Sequence, residues 1–250
     1  LPALFRPLFK LAYRKPTLAI RTAPQNPEDG KALGALQDVV VPNGVPDMRG
    51  RVPERTAAVG QPLNILFTGV LIPSKGVQVL LEAFKLLNDR GLDLRLQLMG
   101  KWGDGAFEAS CRSFVADHGL SDKVTFLGVK RDLEKFACFA GCDIFCFPSY
   151  FEAESFGLVL VEAMQFAKPV VSTRWRGIPS VVEDGVNGYL VEPRDPSAVA
   201  DRLALLVADP ELRQRMGREG RRIFEQRFTL ERFHRNMEDA LSLVTPPDQQ

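Results

Sequence analysis

Histidine is scarce in this chain: two residues in 250, His118 and His234, both placed as surface positions are. Cysteine is nearly as scarce. Of the four cysteines, Cys138, Cys142 and Cys146 follow one another at intervals of four, unlike a zinc knuckle, and no histidine stands near those three in sequence. With Cys111 they read as reduced, buried, small hydrophobes, a usage that fits a cytoplasmic protein. The two tryptophans, Trp102 and Trp175, read as loop packing. Net charge is almost lacking too, at +1, which argues against nucleic acid as a partner. No apolar run is long enough to span a bilayer. The chain starts at Leu1, not Met, and shows no signal peptide, as a fragment or processed product would. No cluster of metal-ligating residues is visible, so neither metal nor other cofactor is expected.

What is present is a chain 45% hydrophobic and 25% charged, enough for one large or two small globular domains. Residues 1–45 read as a remnant of an N-terminal domain plus a hinge. Leu1 to Lys15 has the spacing of an amphipathic helix, suited to packing on its own domain or to touching an anionic membrane surface. Val39-Val40-Val41 is a strand that runs into the turn Pro42-Asn43-Gly44-Val45. Residues 46–62 contain Pro, Gly and Arg and read as a linker. From Leu63 strands and helices alternate regularly. The strands are expected at 65–70, 94–99, 124–127, 143–147, 169–172 and 188–191. Longer helices fall between them, and three close the chain near 196–208, 210–226 and 229–244, before a frayed tail from Pro246. That alternation predicts an α/β fold with a parallel sheet covered by helices on both faces. Ligands on such sheets bind beyond the carboxyl ends of the strands. No Gly-x-Gly-x-x-Gly follows the first of these strands, so a nicotinamide or flavin reader is not expected.

The most informative stretch runs from Phe147 to Met164. The apolar run Asp143–Phe147 ends at Pro148-Ser149. A helix follows from about Phe156, with Ser155 as its expected N-cap and Gly157 in its first turn. Glu154 stands just before that helix, and Glu162 lies eight positions on among apolar neighbours, where a carboxylate needs a partner. A glycine in the first turn lets a ligand approach free backbone amides, so this helix end is a candidate anion site. Taken singly, each feature is equally good capping chemistry. The loop Gly69–Gly76 joins the first strand to its helix. It carries Lys75 at a helix start, where the helix dipole disfavours a cation unless an anion sits there as well. An ordinary surface lysine is the other reading.

The string Ser155, Glu154, Phe156-Gly157-Leu158 and Glu162-Ala163-Met164 resembles the Glu-x7-Glu signature of retaining glycosyltransferases of the GT-B fold, specifically glycosyltransferase family 4. Pro42–Val45, Lys75-Gly76, Val124–Gly128, Pro169–Val171, Gly177–Pro179 and Glu183–Gly188 extend the likeness over about residues 39–233. The resemblance implies the Rossmann-like C-terminal half of a GT-B fold, with the N-terminal acceptor domain largely missing. Residues 63–228 would then form the nucleotide-sugar-binding domain. Residues 229–250 would form a C-terminal crossing helix, which reaches toward the missing domain, and the tail. Carried over by position, Lys75 would contact the diphosphate, and the amides of Phe156, Gly157 and Leu158, next to Ser155, would hold its oxygens. Glu162 would take the ribose hydroxyls, Glu154 would face the sugar as the catalytic group, and the backbone near Lys130 would meet the base. The donor would be a UDP- or GDP-sugar, used without a metal. The acceptor is open, and the whole enzyme could work at the cytoplasmic face of a membrane.

Three departures from the family pattern stand out. Val70 replaces a usual arginine, for which Arg174 or Arg176 could substitute. Arg176 and Ala167 replace usual glycines. Asp132 could read a guanine edge or cap the helix from Leu133. A GT-B epimerase or hydrolase, a non-catalytic nucleotide-binding module and a packing scaffold remain alternatives.

Overall fold

A computed structural model of the chain describes residues 16–24, 35, 37–53 and 61–244. The helix expected over Leu1–Lys15 and the tail from Pro246 lie outside those residues.

Strands β1 (Leu18–Arg21) and β2 (Gln37–Val40) pair in parallel as a separate two-stranded sheet. The sequence marks β2 but not β1, Leu-Ala-Ile-Arg, which no turn signal or apolar run sets apart. The main sheet holds β3 (Leu63–Thr68), β4 (Leu94–Met99), β5 (Val124–Gly128), β6 (Ile144–Phe147), β7 (Val170–Thr173) and β8 (Gly188–Val191). Every described pairing in it is parallel, and the order is β5-β4-β3-β6-β7-β8. The parallel pairing is what the alternation predicts. All four residues of β6 and of β7 are buried, as strands covered on both faces should be.

Between the strands run α1 (Val77–Asp89), α2 (Gly105–Asp117), α3 (Asp132–Gly141) and α4 (Leu158–Gln165). Then α5 (Pro196–Ala208), α6 (Pro210–Arg227) and α7 (Leu230–Ser242) close the described chain. Helix α1 packs with α5, and α4 with α6. Phe67, Phe145, Phe147 and Leu66 of the central strands are fully buried beneath them, each contributing about 1.5–3 kcal/mol. Several helix starts follow directly from sequence. Asp104, Asp195, Asp209 and Thr229 each accept a backbone amide hydrogen bond at the N-terminus of a helix. Pro196 and Pro210 take the first turn of α5 and α6, where a missing N–H costs nothing.

Two capping expectations are corrected. Ser155 does not cap α4. The cap is Gly157, at φ 83°, with no side-chain hydrogen bond, because the left-handed turn there moves the helix start two residues on. Asp132 does not cap α3. It is the first helical residue, at φ 48°, with Arg131 at the cap position. The departures at Ala167 and Arg176 take physical form here, since both adopt the left-handed backbone that a glycine would hold more easily, at φ 55° and 44°. Ala167 closes α4 in a Schellman motif. Its amide donates to Met164 O at 2.9 Å, and the Lys168 amide to Ala163 O at 3.2 Å.

The described part of the 46–62 stretch packs closely on the domain. Val52 is buried, and Arg49–Arg51 form a 3-10 turn. The Met48 amide donates to Gln165 Oε1 at 2.7 Å, and Arg221 grips Asp47 with two nitrogens, at 2.9 and 2.5 Å. Val45 bridges to Thr229, so the hinge string lies against the start of α7.

Candidate functional site

Strand order reverses between β3 and β6, where a doubly wound sheet opens its binding crevice. The loop after β3 carries Lys75, and the loop after β6 carries Glu154. Two close backbone contacts bring these loops together. The Tyr150 amide donates to Ser74 O at 2.8 Å. Gly76, at φ 83°, lies so near Pro148 that a Cβ would stand 2.1 Å from its carbonyl oxygen. The absent side chain of Gly76 is therefore what lets Lys75 reach across.

Lys75 Nζ lies 2.6 Å from Glu154 Oε2, and both side chains are largely buried. The ammonium also stands over the Phe151 and Phe147 rings, 4.4 and 5.5 Å from their centroids. Ser149 Oγ donates to the same carboxylate oxygen at 2.9 Å. The turn that holds Glu154 is itself fixed, because Phe151 O accepts the Glu154 amide at 3.0 Å and Trp175 Nε1 at 2.8 Å. Trp175 does pack a loop, and that loop is the one that holds the carboxylate.

Beside this pair opens a cavity of about 280 Å3. Lys75, Glu154 and residues 155–159 line it, with Gly69, Val70, Phe147 and Asn43. The first backbone bond of α4 runs from the Leu160 amide to Gly157 O, so the Leu158 and Val159 amides have no acceptor inside the helix. The cavity therefore joins one cation, one carboxylate and an open helix N-terminus, which together suit an anion bound beside a hydroxylated group. Asn43, read from sequence only as part of a hinge, lines it too.

Six of the eight sequence candidates meet there: Lys75, Glu154, Ser155, Phe156, Gly157 and Leu158. Glu162 and Lys130 are not in the lining. Glu162 lies one turn further along α4, with Oε1 at 2.5 Å from Lys135 Nζ. Its Oε2 is buried with no hydrogen-bond partner among the described residues. Burial raises its pKa, and the bond to Lys135 opposes that rise. The Lys130 side chain lies 3.7 Å from Glu134, beyond the end of β5.

The arginines considered as substitutes for the missing cation do not reach the cavity. Arg174 is turned to Asp184 at 3.0 Å and Glu192 at 3.9 Å. Arg176 stands over the Trp175 ring, 5.8 Å from its centroid. Val70 lines the cavity and is half exposed there. Sequence reasoning missed Ser149, read only as a strand end, and Lys135, which nothing in the pattern of α3 marks. Among the described residues no group of three or more His, Cys, Asp or Glu is arranged to hold a metal, and no helix is long and apolar enough to cross a membrane.

Residues 49–223 match the family model described as glycosyl transferases group 1. The chain belongs to that family. A D-inositol 3-phosphate glycosyltransferase from Corynebacterium efficiens is 37% identical over 167 residues, which cover 64% of this chain and 39% of the relative. An uncharacterized glycosyltransferase from Methanocaldococcus jannaschii is 34% identical over 167 residues, covering 67% of this chain and 44% of the relative. This group 1 chain thus spans about two fifths of the length of such curated relatives. Among solved structures, HepE of Anabaena in complex with UDP and glucose superposes with a TM-score of 0.80 at 24% identity, covering 95% of this chain and 66% of that one. The C-terminal domain of a Francisella tularensis group 1 protein superposes with a TM-score of 0.63 at 25% identity, covering 74% of this chain and 91% of that one. The group 1 fold is therefore that of the Rossmann-like C-terminal half of GT-B proteins.

Proposed function

We propose that this chain is the donor-binding half of a retaining glycosyltransferase of family 4. The reaction moves a sugar from a nucleoside-diphospho-sugar to a glycan, lipid or small-molecule acceptor. The observation that carries this reading is the convergence of Lys75, Glu154 and the open end of α4 on one cavity at the reversal of strand order.

The chemistry follows from what each group can do. An ammonium has three donors, so the ion pair with Glu154 leaves Lys75 capacity for phosphate oxygens. As the bond to the anomeric carbon breaks, negative charge grows on the diphosphate. The fixed cation and the amides of Leu158 and Val159 stabilise it there, in place of a divalent metal. Glu154 faces the sugar, where a carboxylate stabilises oxocarbenium charge while the acceptor attacks from the leaving-group side. Glu162 offers a buried oxygen lacking a donor, which two ribose hydroxyls would supply. The backbone near Lys130, beyond β5, is assigned to the base.

In this reading residues 63–228 are the donor domain, and the hinge and α7 lead to the acceptor domain. A UDP-type donor is favoured over a GDP-type one, because HepE was solved with UDP and glucose on the same fold. Four free cysteines fit a reducing, cytoplasmic compartment. Isothermal titration with UDP and with GDP tests the reading. Micromolar to millimolar binding of one of them is expected, and binding of neither at millimolar concentration overturns it.

A further inference from the structure

We propose that Ser149 is a positioning residue that fixes which oxygen of Glu154 meets the donor sugar. The inference rests on the donor reading above and adds a residue to it.

Ser149 is fully buried at the end of β6. Its carbonyl accepts the Thr173 hydroxyl from the neighbouring strand β7, and the amide next to it, of Tyr150, is tied to Ser74 O. The backbone at 149 is thus held from both sides. The Phe151 amide donates to Ser149 Oγ at 3.3 Å, which directs the hydroxyl's own proton away from that amide. It goes to Glu154 Oε2, at 2.9 Å. Lys75 donates to the same oxygen at 2.6 Å. Both donors therefore fall on Oε2. Among the described residues Oε1 accepts no hydrogen bond, and Glu154 lines the cavity, so Oε1 is the acceptor offered to a ligand.

The two donors are not equivalent once a diphosphate arrives. Lys75 must then divide its ammonium between carboxylate and phosphate. Among the described residues the Ser149 hydroxyl donates to Glu154 Oε2 alone. It keeps Oε2 satisfied and stops the carboxylate rotating about its last torsion, so Oε1 stays aimed at a sugar hydroxyl. The bond it supplies, at 2.9 Å to an ionised acceptor, is directional, as a positioning contact must be.

The test compares bare nucleotide with nucleotide-sugar on the same chain. UDP and GDP are titrated first, then UDP-glucose, UDP-N-acetylglucosamine and GDP-mannose. The unaltered chain is expected to prefer one nucleotide-sugar over its bare nucleotide. Ser149→Ala should lower that preference on the order of tenfold while leaving the bare nucleotide's affinity unchanged. Glu154→Gln should lower the preference at least as much, while bare-nucleotide binding is no weaker because the Lys75 ammonium is released from the carboxylate. The double variant Ser149→Ala/Glu154→Gln should be no worse than Glu154→Gln alone, because the hydroxyl acts only through the carboxylate. Equal weakening of both ligands, no effect of Ser149→Ala, additive losses, or no sugar preference in the unaltered chain would each overturn the inference. Failure of the unaltered chain to bind either bare nucleotide would instead overturn the donor reading. If Ser149→Ala does not fold, Ser149→Cys, nearly isosteric and a weak donor, must show the same selective loss or the inference falls.

Discussion

Lys75 Nζ and Glu154 Oε2 lie 2.6 Å apart although 79 residues separate them in the chain. The expected phosphate cation is thus the partner of the expected catalytic carboxylate. Each keeps the other from being an uncompensated, largely buried charge.

Lys75→Met should therefore act twice. Among the described residues it leaves Glu154 with Ser149 as its sole side-chain donor, at a cost of about 1–3 kcal/mol in stability. It also removes the cavity's cation, which should weaken UDP or GDP binding about tenfold or more. Urea unfolding and isothermal titration read the two effects separately. Unchanged nucleotide affinity would remove Lys75 from the phosphate site.

Ala167 holds a left-handed backbone at the end of α4, in a motif that suits glycine. Ala167→Gly should relieve that strain by more than the extra entropy it gives the unfolded chain, for a net gain of about 1 kcal/mol. For a protein of this size the melting temperature should rise by about 2–4 °C. A lower melting temperature would show that the methyl group's packing outweighs the strain.

Asp47 and Glu162 should tilt stability against pH in opposite directions. The hydrogen bond from Arg221 is the main cause that holds Asp47 below the ordinary carboxylate range of about 3.9. Its contribution is present above that pH and is lost as pH falls through the lowered value. Burial raises Glu162 above its ordinary value of about 4.3. The folded state then favours the protonated form, so this contribution is present at low pH and is lost as pH rises through the raised value. Urea midpoints measured from about pH 3 to 7 should show a shallower acid loss in Asp47→Asn and a shallower decline with rising pH in Glu162→Gln. The same sign of change in both variants would refute the assignment.

Much of this was legible in the chain itself. The α/β class, the parallel sheet, the longer helices and the pairing of Glu154 with an open helix end all follow from local rules. Apolar runs of four to six residues mark buried strands, and period-3.6 runs mark helices. These depend on neighbours in sequence, and they held for β4, β8 and α5. The left-handed backbone of Gly157 at the start of α4 and of Asp132, the first residue of α3, was not legible, because residue type at these positions does not fix the sign of φ.

Local pattern determined that Lys75 and Glu154 each stand at the end of a strand and the start of a helix. Only the tertiary structure decided that those two ends meet. The strand order sets β3 beside β6 and the missing side chain of Gly76 lets their loops touch, so two groups far apart in the chain share one proton-bridged contact. Likewise the sequence showed a carboxylate at Glu162, but only the approach of α3 decided that Lys135 holds one of its oxygens and leaves the other bare. Long-range pairing of charges is set by which backbones come within reach, and no spacing along one chain encodes that distance.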